Sequence, residues 1–266
     1  MRILVTNDDG VRAAGLVALA RGFADDGHDV LVVAPLVESS GAGAGVGPLH
    51  TLSNGIHVDN IDIEGLEGIE SLAIDALPAL AVIAACMGAF GPPPDLIASG
   101  INPGRNIGPA VLHSGTVGAA LTAPHFGRRG LAMSIQSGRG GPMHYDTAVE
   151  VALRVGPVVA AAPPRTVVNV NVPNRPLEEI LGLRVAHLTR SGLIRSVLAD
   201  ADGPRVQLEL GFNEAPPDDG SDEALTAAGF VTMTPLVGVS EDSSPDVVDA
   251  LDGLAEAWGD RVHTTR

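Results

Sequence analysis

Residues 2–10 read Arg-Ile-Leu-Val-Thr-Asn-Asp-Asp-Gly, and this stretch decides the fold. Ile3, Leu4 and Val5 form a short apolar run, and with β-branched Thr6 it reads as a buried strand over 2–6. The turn Asn7-Asp8-Asp9-Gly10 follows. Residues 14–25 then place Leu16, Leu19, Ala20 and Phe23 at helical spacing, and residues 29–34 (DVLVVA) form the next strand, halted by Pro35. Strand, turn, helix, strand is a βαβ unit, and such units imply a parallel sheet with right-handed crossovers.

The alternation continues outward. The pattern predicts a helix over 77–90, ended by Gly91 and three prolines, and a strand over 95–99 that runs into the polar segment up to Gly108. A helix over 114–126, a strand over 130–135, a helix over 145–161 and a strand over 166–171 follow. After Pro173 the character changes. Strands with polar alternation are expected at 183–188 and 205–211, an acidic Pro/Gly loop at 213–222, a last strand at 229–234 and a last helix at 244–258. The expected fold is α/β: a three-layer, Rossmann-like, mostly parallel sheet with a C-terminal antiparallel hairpin extension and a terminal helix. Residues 1–173 would form the core carrying the site and 174–266 the extension, within one structural unit.

Composition narrows the function. At 266 residues and 45% apolar content a large core is feasible, and with only 3% aromatics Ala, Val, Leu and Ile must fill it. Few aromatics also argue against stacking platforms for single-stranded nucleic acid. A net charge of −16 repels DNA or RNA, so no nucleic-acid duplex is expected as partner. A small phosphate ester differs, because one bound divalent cation reverses the local sign. All 16 basic residues are Arg, which excludes a lysine nucleophile, a Schiff base and a Walker P-loop lysine. The single cysteine, Cys86, lies in an apolar run and reads as a buried small hydrophobe; with no intrachain disulfide possible, a cytoplasmic setting is expected. The N-terminus is a strand and not a signal peptide, and no segment approaches the ~20 apolar residues of a membrane span.

Ligands of open α/β sheets bind beyond the carboxyl ends of the strands. Three polar, glycine-containing segments sit there: Asn7–Gly10, Ser39–Gly47 and Ser99–Gly108. Asp8 and Asp9 are adjacent carboxylates, and a hard divalent cation with its preference for oxygen ligands relieves their repulsion. Capping of the next helix by one of them is the alternative. Asn102 can offer an amide oxygen or form an Asx-turn before Pro103. Ser40 can offer a hydroxyl. Ser114-Gly115-Thr116 opens a helix, either as a phosphate cradle or as a simple cap. The glycine-rich residues 36–55 read as a loop, either a connector or an active-site lid. His113 stands beside Ser114, where it could donate to phosphate or be an ordinary loop residue. The other histidines (His28, His50, His57, His125, His144, His187 and His263) show no ligand spacing.

Taken together the motifs resemble the SurE family, stationary-phase survival proteins that act as nucleoside 5′/3′-monophosphatases. The matching segments are ILVTNDDG at 3–10, VVAP at 32–35, Ser40-Gly41, SGIN-x-G-x-N at 99–106, HSGTVGAA at 113–120, NVNVP at 169–173, LTR at 188–190 and GFVTMTPL at 229–236. The resemblance implies Asp8, Asp9, Ser40 and Asn102 as ligands of one divalent metal ion per subunit, Mg²⁺ or Mn²⁺. It implies a phosphate and substrate pocket of Asn7, Gly41, Gly104, Asn106, Ser114, Gly115 and Thr116, with Asp8 and Asp9 catalytic. It also implies a homodimer or homotetramer exchanging C-terminal elements, and no membrane partner. The chain departs from the family at Ser39, usually Arg, at residues 76–82, usually Gly-Thr-Pro-Ala-Asp-Cys-Val, and at Thr122, usually Glu.

The expected reaction is metal-dependent hydrolysis of nucleoside monophosphates, with water attack preferred over an aspartyl-phosphate. The rivals are a nucleotide-binding sensor without turnover and a hydrolase of nucleoside triphosphates or polyphosphate. A dinucleotide-binding dehydrogenase is weak, because no GxGxxG follows the first strand.

Overall fold

A computed structural model describes residues 1–47, 55–138, 140–190, 194–200, 207–212, 216–240, 244–245, 247–249 and 251–252, with the backbone alone at 194–200 and 207–212. Strand β1 (Arg2–Thr6), helix α1 (Ala14–Asp25) and strand β2 (Asp29–Pro35) form the opening βαβ unit, with β1 and β2 parallel. Then come β3 (Val58–Asn60), β4 (Glu70–Ile74), α2 (Pro78–Cys86), β5 (Leu96–Asn102), α3 (Gly115–Thr122), β6 (Arg129–Ile135), α4 (Tyr145–Ala161) and β7 (Val167–Val172). The tail holds β8 (Leu183–Val185), β9 (Ile194–Asp200), β10 (Gln207–Phe212), α5 (Asp222–Ala228) and β11 (Val231–Leu236). Met1–Leu236 forms one compact unit and Val237–Arg266 a second.

The main sheet has the order β3-β4-β2-β1-β5-β6-β7-β11-β8. Its middle, β4 to β7, is parallel; β3 and β11 run antiparallel to their inner neighbours, and β8 lies parallel to β11. Alternation along each central strand assigns the layers. Ile3 and Val5 of β1 and Val30 and Val32 of β2 join Leu16, Phe23, Val151 and Val155 of α1 and α4 in one core. Leu4, Leu31 and Val33 point the other way, into a core with Val82 and Ala85 of α2 and Ala119 of α3. Because both faces are covered, these strands are continuous apolar runs rather than polar–apolar alternations. Cys86 is buried, as its sequence context predicts, and burial pushes its thiol up to about 11, which keeps it inert.

Successive strands run from β1 to β2 in one direction and from β1 to β5 in the other, so the order reverses between β1 and β5. A crevice opens at such a switch point.

Several expected boundaries shift. Strand β5 continues through Gly100 and Ile101 to Asn102, so Ser99–Asn102 is strand and not loop; a register irregularity against β6 between Ser99 and Asn102 accommodates the polar insertion. The helix expected over 77–90 ends at Cys86, and the one over 114–126 divides into α3 and a 3-10 turn at Ala123–Phe126 that begins before Pro124. Strands β3 and β4 fall where no strand was read. The strand at 183–188 shortens to β8 and joins the main sheet beside β11, so the antiparallel hairpin is β9–β10 instead. Residue 222 belongs to a helix rather than to an acidic loop: Ser221 caps α5 by accepting from the Ala224 N–H at 3.2 Å. The terminal helix expected at 244–258 lies mostly outside the described residues. No helix among those described is long and apolar enough to cross a membrane.

Candidate active site

Asn7-Asp8-Asp9-Gly10 leaves the end of β1 at the switch point. The Asn7 side chain holds the turn, donating from Nδ2 to the Gly10 carbonyl at 3.0 Å. Neither Asp caps α1, whose N-cap is Ala13 and makes no side-chain bond. The capping alternative therefore falls, and both carboxylates remain at the crevice.

Asp8 is 3% exposed and rigidly held. Thr116 Oγ1 donates to its Oδ1 at 2.5 Å, and Ser39 N donates to its backbone carbonyl at 2.8 Å. At Gly115 any Cβ would lie 2.6–2.8 Å from the Asp8 carboxylate, so only glycine lets the start of α3 approach this closely. Gly118 plays the same part for the glycine-rich loop, since its Cβ would sit 2.2 Å from the Gly43 carbonyl. Ser114 caps α3, accepting from Val117 N at 3.1 Å, and so the capping reading holds.

Asp9 carries the strain of the site. Burial first, then the charges of Asp8 and Glu38, push its carboxyl up to about 6. Its Oδ2 is buried without a hydrogen-bond partner, as are Asn7 Oδ1, Thr6 Oγ1 and Ser99 Oγ, the last two on register-paired residues at the ends of β1 and β5. Ser40 donates to Glu38 Oε1 at 3.0 Å, leaving its oxygen lone pairs open. Asn102 donates from Nδ2 to the Gly104 carbonyl at 2.6 Å, leaving its amide oxygen open. The open atoms on these residues are all oxygens, the chemistry a hard cation fits. Among the described residues no group of three His, Cys, Asp or Glu forms a metal cluster, so a metal here would depend on the Ser and Asn oxygens as well.

Asn106 is buried in a polar network. Its N–H donates to Asn171 Oδ1 at 2.8 Å and its Nδ2 to Ser134 Oγ at 2.9 Å, while Asn169 and Asn171 both donate to its carbonyl. One of its two amide protons is thereby committed. At Gly41 a Cβ would meet nothing within 4 Å. His113 is exposed, and its carbonyl accepts from Gly43 N at 3.2 Å.

Sequence reasoning missed five contributors. Glu38 adds a third carboxylate beside Asp9. Tyr145 lies close enough to Asp9 that the carboxylate, after burial, raises its hydroxyl pKa. Asn169 and Asn171 sat in plain view within NVNVP, where Asn at alternate strand positions is a signal for a polar stripe. Asp222 is fully buried, accepting at Oδ2 from Gly108 N and at Oδ1 from Thr189 N and Glu223 N, at 2.8–2.9 Å. It ties the loop after β5 to the tail. Nothing in the acidic run around it distinguishes this carboxylate.

Comparison with known proteins identifies the family. The family model described as Survival protein SurE matches residues 3–194. A 5′-nucleotidase SurE of Nitratidesulfovibrio vulgaris (strain Miyazaki F) is 34% identical, with 98% of this chain and 94% of that protein aligned. A 5′/3′-nucleotidase SurE of Shigella dysenteriae serotype 1 is 36% identical over 93% of this chain and 95% of that protein. The crystal structure of the SurE protein from Aquifex aeolicus superposes with a TM-score of 0.78 at 26% identity, covering 96% of this chain and all of that one. With a family match over most of its length and relatives above 30% identity end to end, the chain belongs to the SurE survival-protein family.

Proposed function

We propose that this chain is a divalent-metal-dependent phosphomonoesterase that hydrolyses nucleoside 5′- and 3′-monophosphates to nucleoside and phosphate. The observation that carries the reading is the buried, unpartnered Asp9 carboxylate oxygen, beside the charges of Asp8 and Glu38. The names of the relatives supply the nucleotide.

Asp8, Asp9, Ser40 and Asn102 would hold one Mg²⁺ or Mn²⁺. When bound, the ion supplies positive charge to the phosphoryl oxygens and acidifies water at the site. Asp8, fixed through Thr116, is the rigid ligand. Asp9 has an oxygen without a hydrogen-bond partner, and it orients the attacking water and takes its proton. The N–H groups of Gly115 and Thr116, with the second amide proton of Asn106, stabilise charge on the phosphoryl oxygens. The new bond joins water oxygen to phosphorus and the bond to the ester oxygen breaks; that oxygen takes a proton from solvent and leaves as the nucleoside hydroxyl, while Asp9 releases its proton to solvent. Residues 174–266 are the proposed oligomerisation region. Supporting this, among the described residues β9 and β10 pair only with each other, and a lone two-stranded sheet is marginal in water.

The test is phosphate release from a nucleotide panel with Mn²⁺, Mg²⁺ or EDTA. Release that requires the cation and vanishes in Asp8→Asn supports the reading; metal-independent release overturns it. The sensor reading rests on the missing Arg at Ser39 and Glu at Thr122, whose hydroxyl here donates to the Gly118 carbonyl inside α3. It predicts metal-dependent nucleotide binding without phosphate release. Pyrophosphate from triphosphates would instead favour the triphosphate hydrolase. The stereochemical course at an isotopically chiral phosphorus separates direct water attack, a single displacement that inverts it, from an aspartyl-phosphate, whose two displacements retain it.

A further inference from the structure

We infer that Asn171 and Asp222 are positioning residues for the phosphate site: they pin the backbone of Asn106–Gly108 from two sides and so set the direction of the Asn106 amide, without touching substrate or metal. The inference rests on the reading above in which that amide meets the phosphoryl group. Between the end of β5 at Asn102 and the 3-10 turn that begins at Gly108, the chain has no regular structure of its own. Such a segment needs an outside hold to keep one geometry. A reacting group misplaced by about 1 Å can lose roughly a hundredfold in rate.

The first hold is on Asn106 itself. Asn171 Oδ1 accepts the Asn106 N–H at 2.8 Å, and Asn171 Nδ2 donates to the Asn106 carbonyl at 2.9 Å. One side chain thus makes both bonds that a neighbouring antiparallel strand would make, and makes them to the residue that carries the amide. Asn169 Nδ2 donates to the same carbonyl at 2.8 Å, and Ser134 Oγ accepts from Asn106 Nδ2 at 2.9 Å. Asn169 and Asn171 are alternate residues of β7, and Ser134 is register-paired with Asn171 on β6, so the three stand on one face of the sheet. All three are fully buried, on the face that Val167 and Ala132 fill with apolar packing. A buried amide is costly unless it is bonded. Among the described residues the side-chain bonds of both Asn go to Asn106 alone, so this polar row serves the loop and not the sheet.

The second hold is two residues further on. Gly108 N donates to Asp222 Oδ2 at 2.9 Å, and Asp222 Oδ1 takes the N–H of Thr189 at 2.8 Å. Thr189 in turn packs against Gly108 so closely that a Cβ there would lie 2.6 Å from Thr189 Cγ2. Asp222 therefore fastens the start of α5 and the Thr189 segment to the same loop. Asn171 and Asp222 are both fully buried, so neither reaches a substrate in the crevice. Each acts through the backbone between them.

The experiment measures kcat and KM for AMP with Mn²⁺, the apparent Mn²⁺ affinity and Tm. The variants are Asn106→Ala, Asn171→Ala, Asp222→Asn and the doubles that join each of the last two to Asn106→Ala. Asp222→Asn keeps an oxygen for the Thr189 and Glu223 N–H groups and turns an amide toward Gly108, so it breaks the tether to the loop alone. Each single variant is expected to lower kcat roughly tenfold to hundredfold, with KM and Mn²⁺ affinity little changed. In each double, kcat falls no further than in Asn106→Ala, because the pinning residue has nothing left to aim. A merely structural role lowers Tm and leaves the kcat of the folded enzyme unchanged, or adds its loss in full to that of Asn106→Ala. Either result overturns the inference, and so does an unaffected Asn106→Ala. Should Asn171→Ala fail to fold, the near-isosteric Asn171→Asp, which keeps the acceptor and loses the donor to the Asn106 carbonyl, is held to the same outcomes. If the wild-type chain hydrolyses no monoester, the phosphatase reading fails instead. The same cycle is then read on the calorimetric Kd for AMP with Mn²⁺, where additive losses or no loss overturn the positioning.

Discussion

Two carboxylates, Asp9 and Asp222, are both raised by burial, yet their surroundings are opposite. Asp222 is fully buried and accepts three backbone N–H bonds, which oppose the effect of desolvation. Asp9 is only partly buried, has two acidic neighbours and keeps one buried oxygen with no partner. Burial alone therefore does not identify a functional acid. A buried carboxylate whose bonds are complete is part of the framework. One that is crowded by like charge and left incomplete is suited to a cation the chain does not itself provide.

The comparison can be broken most directly at the acidic pair. Asp8→Asn or Asp9→Asn should lower metal-dependent phosphate release by roughly 10²–10³-fold or more, with circular dichroism unchanged. Retained activity in both would remove the functional half of the contrast. On the framework side, Asp222→Ala orphans buried N–H groups on three segments and should cost about 3–5 kcal/mol. That corresponds to a fall in Tm of roughly 10 °C at this chain length, measurable by calorimetry. An unaltered Tm would mean Asp222 holds nothing.

A smaller effect sharpens the geometry. Gly115→Ala pushes a methyl against the Asp8 carboxylate and should reduce kcat about 10-fold or more, and weaken apparent metal affinity, with little change in Tm. The smallest effect is in pH dependence without metal. The folded chain holds the Asp9 proton up to about 6, whereas the unfolded chain releases it near 3.8. The folded state then binds more protons between those values, so this group's contribution to stability falls as pH rises through that window and is level above it. Wild-type minus Asp9→Asn, compared by Tm in EDTA, should show a loss of a few degrees, reversed by Mn²⁺. A difference that rises with pH would reverse the sign assigned to Asp9.

Much of the fold was legible. The apolar runs at 3–5 and 30–34 and the helical spacing over 14–25 name the central βαβ unit, because a strand buried on both faces and a helix buried on one leave different periodicities. The acidic turn was legible as well, since two adjacent carboxylates after a buried strand have few stable uses. The tail was read less well. The strand read at 183–188 is only the short β8, with exposed residues that do not reveal its pairing with β11, and α5 begins inside what composition marks as an acidic loop. Asn106 was found by its motif, but its ties to Ser134, Asn169 and Asn171 were not, because they span strands separated by tens of residues.

By itself the sequence determined the layer each central side chain enters and the oxygen-rich chemistry available at the first turn, for these follow from local periodicity and residue type. Tertiary structure alone decided which carboxylate is satisfied and which is not. Asp8 meets Thr116 across 108 residues, and Asp222 meets Gly108 across 114. Such encounters depend on strand order and close backbone approach, which no local pattern records.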